Sequence, residues 1–217
     1  MLYVVSTPIG NLGDITHRAV EVLKSVDLIA CEDTRRTRIL AQRYHITTSL
    51  SSYYEHNKFI KGEYFLRLLK EGKSVALVSD AGTPGISDPG FNLIRDAIQA
   101  GIDVVSIPGP TALVSALSIS GLATDKFFFE GFFPVKSGAR RKRLRWLKDL
   151  GVTIIAYESP HRILKCLQDM ADVLENRQVV LVREVTKKFE ESLRGDALSL
   201  LDRLSASKPK GEFVVLF

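Results

Sequence analysis

The sequence contains few residues of the kinds that build disulfide frameworks or metal centres. Its 217 residues include two cysteines, Cys31 and Cys166, and four histidines. The cysteines lie far apart without metal-ligand spacing and the histidines are scattered, so we expect neither a disulfide nor a metal site. Unpaired cysteines favour a reducing compartment, and we therefore expect a cytoplasmic protein.

Long apolar runs and targeting signals are also missing. No stretch approaches the ~20 apolar residues of a membrane span, so we expect no membrane partner. Residues 1–6 lack the basic flank and the long apolar region of a signal peptide, and they predict a first β-strand. The sequence stops on an apolar strand, residues 214–217, and we expect it to be cut from a longer chain.

Two common catalytic signatures are absent. There is no G-x-x-x-x-G-K-[ST] motif, which disfavours a P-loop kinase or NTPase. There is no G-x-S-x-G motif and no evident set of nucleophile, base and orienting residue. The first loop carries Gly10 and Gly13 without the full dinucleotide-binding pattern, although its distance to Glu32 and Asp33 resembles that of a ribose-binding acid. The same two acids equally fit capping of the helix that begins at Thr34.

Positive charge is concentrated in one block. The net charge is +5, which alone favours an anionic partner only weakly. Residues 136–148 hold seven basic residues, no acidic one and Trp146, a composition that fits contact with a phosphate backbone. It equally fits a solvent-facing helix with Leu144, Leu147 and Leu150 turned inward at helical spacing.

One stretch organises the rest of the sequence. Residues 75–78 (VALV) form an unbroken apolar run, which predicts a strand buried on both faces. The run breaks at Asp80 into a loop, and residues 80–90 contain three glycines, two prolines and two aspartates. Asp88 and Pro89 fit the N-cap and the first position of the next helix. Open α/β sheets bind ligands where a strand end faces such a helix start, so we predict a ligand loop here.

The order of the predicted elements indicates two α/β domains. In residues 1–121, strands and helices alternate with short connections, which is typical of a mainly parallel sheet with helices on both faces. Residues 122–217 have more strands at closer spacing, which predicts a mixed sheet. The helix-start signal recurs there, with Ser159 as N-cap and Pro160 at the first helical position.

Six segments together resemble one known family. They are residues 4–14 (VVSTPIGNLGD), 31–35 (CEDTR), 79–90 (SDAGTPGISDPG), 108–113 (PGPTAL), 157–162 (YESPHR) and 186–190 (TKKFE). In order, and over essentially the whole chain, they are similar to the tetrapyrrole-methylase superfamily and within it to the branch that methylates ribosomal RNA. The resemblance implies two α/β domains with S-adenosylmethionine in the cleft between them. It also implies a homodimer and 2′-O-methylation of a cytidine in the 16S rRNA of the bacterial 30S subunit.

The loop chemistry and the resemblance together give the binding candidates. Small residues would let backbone amides and carbonyls reach the polar groups of the cofactor. The cofactor-binding candidates are Pro8, Asp80, Ala81, Gly82, Pro84, Thr111, Ala112, Tyr157 and Glu158, and for each a turn or packing role is the alternative. The RNA-binding candidates are Arg35, Arg36, Arg38, Arg140, Arg141, Lys142 and Arg143.

The catalytic group and two other functions stay open at this point. A ribose hydroxyl is a poor nucleophile at neutral pH, so a nearby base or hydrogen-bond acceptor would help. The candidates are Glu32, Asp33, Glu158, His161 and Lys187, among which the sequence does not choose. One alternative function is a precorrin-type methylase acting on a tetrapyrrole carbon, which the extended basic block disfavours. The other is a non-catalytic RNA-binding or assembly protein that has kept a nucleotide-like pocket.

Overall fold

A computed structural model describes residues 1–54 and 58–217 of the chain. Its internal contacts divide it into two compact units, Met1–Thr111 and Ala112–Phe217. Each unit has its own five-stranded sheet. Within the described ranges, no helix is both long enough and apolar enough to cross a membrane.

The first unit is a parallel sheet with two helices on each face. Its strands are β1 (Leu2–Val5), β2 (Leu28–Cys31), β3 (Leu50–Ser52), β4 (Val75–Val78) and β5 (Val104–Ile107), in the spatial order β3-β2-β4-β1-β5. All four strand pairs are parallel. Its helices are α1 (His17–Ser25), α2 (Thr34–Tyr44), α3 (Lys58–Lys70) and α4 (Phe91–Gln99). The sequence places the start of α3 at Asn57, which lies outside the described residues.

The central strand β4 is buried on both faces, as its apolar run predicts. Ala76 and Val78 join the core under α1 and α2, whereas Val75 and Leu77 join the core under α3 and α4. Side chains alternate across a strand, so every position of β4 meets one of the two helix layers. The strand is therefore fixed from both sides, and the loop that follows it starts from a rigid base.

The second unit is built on a mixed sheet. Its helices are α5 (Ala112–Ser120), α6 (Ser137–Lys148), α7 (Ile163–Leu174) and α8 (Ala197–Ser205), and its strands are β6 (Phe127–Phe132), β7 (Thr153–Glu158), β8 (Val179–Arg183), β9 (Glu191–Gly195) and β10 (Phe213–Leu216). The spatial order is β6-β7-β10-β8-β9. β6 and β7 are parallel and the other pairs are antiparallel. The predicted α/β class, with parallel and mixed sheets, is confirmed.

The division between the units comes one helix earlier than the sequence suggests. The predicted domains, residues 1–121 and 122–217, place α5 with the first sheet. In the structure Ala116 and Leu117 of α5 are buried against Ile155, Val180 and Val214 of the second sheet. Alternation along the chain does not reveal which sheet a helix covers, because the same apolar face fits either one.

Both proline-marked helix starts lie further along the chain than predicted. α4 begins after Gly90, which adopts a φ of 148° and offers no side-chain cap, so Asp88 is not the N-cap and Pro89 is not the first helical residue. α7 begins at Ile163, so Ser159 is not its N-cap. The backbone carbonyl of Ser159 accepts hydrogen bonds from the amides of Arg162 and Ile163, which closes a turn before the helix. In both places the Asp-Pro or Ser-Pro pair opens a turn, another conformation that these residues favour.

Candidate functional site

Three loops of the first unit converge at the carboxyl edge of its sheet, after β1, β4 and β5. Thr7 and Gly82 exchange two backbone hydrogen bonds of 2.9 Å, which tie the first loop to the second. The hydroxyl oxygens of Ser6 and Thr83 lie 2.8 Å apart across the same junction. A Cβ on Gly109 would lie 3.0 Å from the Cβ of Ser6, so the third loop approaches as closely as a glycine permits.

Gly82 lies at the centre of this junction, and its backbone conformation is the reason that it is a glycine. Its φ of +83° is a conformation that costs other L-residues roughly 1–2 kcal/mol. An added Cβ would also contact Ile9 at 3.4 Å and the carbonyl of Pro110 at 3.9 Å. The amide and the carbonyl of Gly82 are both bonded to Thr7, so the missing side chain serves the close approach of the loops and leaves space beside them.

The structure brings together five of the predicted cofactor residues. Pro8 follows Thr7, and Asp80, Ala81, Gly82 and Pro84 form the loop bonded to it. Thr111 ends the first unit, whereas Ala112 begins α5 of the second. Tyr157 and Glu158 end β7 of the second unit. Their participation in one site stays a prediction.

Four carboxylates lie around the same edge, at the ends of β2 and β4. The backbone amide of Asp33 donates to Oδ1 of Asp80 at 3.0 Å, and the guanidinium of Arg36 lies 3.4 Å from Oδ2 of Asp80. Burial raises the pKa of Glu32, and the neighbouring Asp80 charge raises it further. Burial and the charge of Glu32 raise the pKa of Asp88 to about 6. In residues 1–54 and 58–217, no cluster of three or more histidine, cysteine, aspartate or glutamate side chains is arranged to hold a metal ion.

The raised pKa of Asp88 predicts a pH-dependent stability. The pKa of Asp88 in the folded protein is about 6, above the ordinary 3.8, because burial favours the neutral carboxyl. The stabilising contribution of this neutral form to the free energy of unfolding is therefore fully present below about pH 4 and is lost as the pH rises through 6. We expect Asp88→Asn to gain stability relative to the wild type between pH 4 and pH 8. Urea unfolding at both pH values measures this difference, with Asp202→Asn as an exposed control. An equal difference at the two pH values would contradict the burial of this carboxyl.

The predicted catalytic residues have different environments. Asp33 caps α2 and is held by the Arg35 guanidinium at 2.7 Å, and these hydrogen bonds lower its pKa to about 2. Glu158 is buried, accepts a hydrogen bond from the amide of Ser159 at 2.8 Å and lies 3.2 Å from Arg162. Burial raises the pKa of Glu158. His161 is exposed.

Lys187 is locked into a structural bridge. Its ammonium lies 3.0 Å from Glu184 and 2.8 Å from Glu212. Burial alone would lower its pKa, but hydrogen bonds to Glu212 and Glu184 outweigh that effect and raise it. A Cβ on Gly211 would lie 2.5 Å from Glu184, so the bridge also depends on that glycine. Lys187 is therefore charged at neutral pH and does not act as a proton acceptor.

The basic helix α6 divides into buried and exposed cations. Arg140 is 2% exposed, and its guanidinium bonds to Asp169, to two carbonyls before the helix and to the carbonyl of Lys165. Arg141 also binds Asp169, at 2.7 Å. Arg143 forms two hydrogen bonds to Glu130 and lies over the Trp146 ring at 4.1 Å. We therefore withdraw Arg140 from the RNA-binding set, because it holds the fold together and offers no charge to solvent.

The exposed cations of the two basic segments are the remaining candidates. On α6 the exposed predicted residue is Lys142, and two exposed cations that were not predicted lie beside it, Arg145 on the helix and Lys136 just before it. On α2, Arg35 and Arg36 are exposed but paired with Asp33 and Asp80, and Arg38 is exposed as well.

Asp169, the partner that neutralises Arg140, is not among the residues that the sequence predicts. The signal that could have found it is an acid on the apolar face of α7, between Cys166 and Met170. Acids are rarely buried unless they are paired, so this position indicates a buried cation nearby.

The comparisons with known proteins agree with this fold. Residues 1–200 match the model of the family "Tetrapyrrole (Corrin/Porphyrin) Methylases", and the chain belongs to that family. It is 51% identical over its whole length to the "Ribosomal RNA small subunit methyltransferase I" of Vibrio cholerae, covering 76% of that protein. It is 49% identical to the protein of the same name from Synechocystis, covering 78% of it.

A solved structure with the same fold comes from Thermus thermophilus. It is a uroporphyrin-III C-methyl transferase complexed with S-adenyl homocysteine, with a TM-score of 0.69 and 17% identity. The match covers 99% of this chain and 96% of that one. At this identity the likeness establishes the fold.

Proposed function

We propose that the chain is an S-adenosylmethionine-dependent methyltransferase that acts on the 16S rRNA of the small ribosomal subunit in the cytoplasm. The observation that carries this proposal is identity near 50% over the full chain to proteins named ribosomal RNA small subunit methyltransferase I. The finer statement, methylation at the 2′-oxygen of a cytidine, rests on the resemblance of the six segments described above. The identity favours an RNA substrate over a tetrapyrrole.

The converging loops of the first unit fit S-adenosylmethionine. The small residues around Gly82 leave space for the adenosine and amino-acid ends, and the carboxylates near Asp80 suit a cationic sulfonium. The cofactor supplies an activated methyl group when it is bound. The residues of the chain bind it, orient it toward a ribose hydroxyl and exclude water, and positioning alone contributes several kcal/mol to such a reaction.

Glu32 is the candidate that best fits the role of proton acceptor. Its carboxyl is half-buried and its pKa is raised, which brings it closer to the operating pH of a base. Asp33 is held as a weak base by Arg35, and Lys187 is charged within its bridge. We expect Glu32→Gln to lower the rate of methyl transfer while leaving cofactor affinity within about threefold of the wild type.

Two measurements test the proposed function. Calorimetry with S-adenosylmethionine reports cofactor binding, and transfer of labelled methyl groups to 30S subunits or free 16S rRNA reports the substrate. We expect binding followed by transfer to RNA. Binding without transfer to either RNA would favour the non-catalytic assembly protein, and failure to bind the cofactor would contradict the methyltransferase.

The exposed cations of α6 are expected to contact RNA phosphates. Replacing Lys142 and Arg145 by alanine should weaken RNA binding and reduce the salt slope by about 0.7–0.9 for each phosphate that these side chains neutralise in the wild type. Lys24→Ala/Lys70→Ala removes two exposed helical lysines elsewhere and serves as the control. If both double variants have the same RNA affinity and the same salt slope, the exposed cations of α6 face water and do not contact RNA. Arg140, Arg141 and Arg143 are unsuitable for this test because replacing them breaks ion pairs.

We also propose a homodimer, which the resemblance implies. Apolar side chains are exposed on α3 and α4, namely Phe59, Ile60, Phe91 and Ile98, and the two helices lie side by side on one face of the first unit. We expect light scattering to give twice the 24.1 kDa chain mass. Phe91→Asp should shift that mass toward the monomer, and Leu198→Asp, which changes an exposed apolar residue near the start of α8, should not. A monomeric wild type at working concentration would contradict the proposal.

A further inference from the structure

A groove of about 640 Å³ runs beside α2 in the first unit. Successive turns of α2 form one wall through Thr34, Arg38 and Gln42, and His45 closes that wall as the C-terminal cap of the helix. The other wall is the segment leading into the edge strand β3, with Thr47 and Thr48. Ala41 and Ile46, both nearly buried, belong to the lining as well and provide an apolar floor.

The shape of the groove is set by the backbone around His45. This residue adopts a φ of 54°, and its amide N–H donates to the carbonyls of Ala41 and Gln42, which ends the helix and turns the chain back. The hydroxyl of Thr48 donates to the carbonyl of Leu23 at 2.7 Å, which fixes the returning segment. Because β3 is the edge strand of the sheet, no further strand of the described residues covers this side. Among the described residues, the groove is therefore preformed and open.

The chemistry of the lining favours an anion that also carries hydrogen-bonding groups. None of the residues lining the groove is acidic, and five of them have hydroxyl, amide or imidazole side chains. Arg38 makes no ion pair with any residue in 1–54 or 58–217, whereas Arg35 and Arg36 on the same helix are paired with Asp33 and Asp80. An exposed guanidinium of this kind beside hydroxyl groups suits a phosphodiester, and an apolar floor suits a base or a ribose.

The position of the groove connects it to the candidate site. Thr34 directly follows Asp33, whose amide is bonded to Asp80 in the cofactor loop. From there α2 extends over eleven residues, or ~16 Å at the rise of an α-helix. A strand of nucleic acid lying in the groove would thus approach the carboxyl edge of the sheet at one end.

We propose that this groove binds single-stranded RNA next to the nucleotide that is methylated. The inference rests on the proposed function for the identity of the substrate. It assigns to Gln42, His45 and Thr47 a role in RNA binding that neither their sequence positions nor the basic segments predict. Arg38 is the phosphate ligand, and the hydroxyl-lined wall receives sugar and base edges.

A matched pair of arginine variants tests the proposal. Arg38 and Arg43 are both exposed on α2, but only Arg38 lines the groove. A fluorescein-labelled single-stranded RNA of about ten nucleotides is titrated against each variant by anisotropy. Arg38→Ala should weaken binding about tenfold, as expected when one charge-assisted hydrogen bond is removed, and Arg43→Ala should weaken it less than about twofold. With 30S subunits, Arg38→Ala should raise KM for RNA and leave the affinity for S-adenosylmethionine unchanged.

The outcomes separate this inference from the proposed function. If the wild type transfers no methyl group to 30S subunits but Arg38→Ala weakens oligonucleotide binding about tenfold and Arg43→Ala does not, the RNA-binding role of the groove is supported and the proposed function fails. If methyl transfer occurs and the two variants behave alike in binding and in KM, the proposed role of the groove in RNA binding is contradicted and the proposed function is supported. A wild type that does not bind the oligonucleotide overturns the inference as well.

Discussion

Replacing Gly82 by leucine is expected to abolish binding of S-adenosylmethionine. The side chain would have to start from a φ of +83° and point toward Ile9 and the carbonyl of Pro110, in the space where three loops meet. It would fill the surface that the bare backbone offers to a ligand. Calorimetry should detect no binding, while the far-UV circular dichroism spectrum stays that of the wild type.

Gly72 provides a matched control for backbone strain. It has almost the same φ, +84°, but apart from its two chain neighbours no atom of residues 1–54 or 58–217 lies within 4 Å of the position of an added Cβ. Gly72→Leu should therefore show a similar reduction in stability, roughly 1–2 kcal/mol, and normal cofactor affinity. If Gly82→Leu binds the cofactor as tightly as Gly72→Leu does, the cofactor site is elsewhere.

Removing the carboxylate of Asp169 is expected to destabilise the second unit severely. Arg140 and Asp169 each have side chains only 3% exposed, and their charged groups lie 2.6 Å apart. Asp169→Ala would leave the buried guanidinium without its counter-charge and would also remove the acceptor of Ser137 and Arg141. Breaking such a pair from one side costs about 3–5 kcal/mol. Urea unfolding measures the change.

A neighbouring acid on the same helix gives the comparison. Asp172 also binds Arg141, at 3.0 Å, but its side chain is 39% exposed. Asp172→Ala should cost at most about 1 kcal/mol, as is usual for surface ion pairs. Equal costs for the two alanine variants would mean that Arg140 turns to solvent when its partner is removed.

The lowered pKa of Asp169 predicts how acid changes the stability of the second unit. Burial alone would raise the pKa of Asp169, but hydrogen bonds from Ser137, Arg141 and Arg140 outweigh that effect and lower it. The pKa of Asp169 is lower in the folded than in the unfolded protein. Its contribution to the free energy of unfolding is therefore present above about pH 4 and is lost as the pH falls through the folded pKa.

Local patterns predict several elements of this chain, because apolar runs and turn residues mark their limits. The apolar run of β4, the cap of α2 at Asp33 and the mixed character of the second sheet all follow from neighbouring residues. The start of α4 does not follow, since an Asp-Pro pair fits a turn as well as a helix. In the structure Gly90 lies close to Gly85 and Leu77, and the helix begins after it.

The candidate site and the buried charges depend on residues that lie far apart in the sequence. β2 pairs with β4 and not with β1, and that order brings Glu32 and Asp33 beside Asp80 and Asp88. A basic run looks the same whether its residues face water or a buried acid. For Arg140 the deciding partner, Asp169, lies on another helix, and no spacing rule connects the two.

The most direct test of the proposed function is to locate the transferred methyl group. Wild-type protein is incubated with 30S subunits and isotopically labelled S-adenosylmethionine, and the 16S rRNA is digested to nucleosides and analysed by mass spectrometry. We predict one labelled species, a cytidine whose added mass stays with the ribose when the base is removed. Label on a base, or no label in 16S rRNA under conditions in which the cofactor binds, would contradict this assignment.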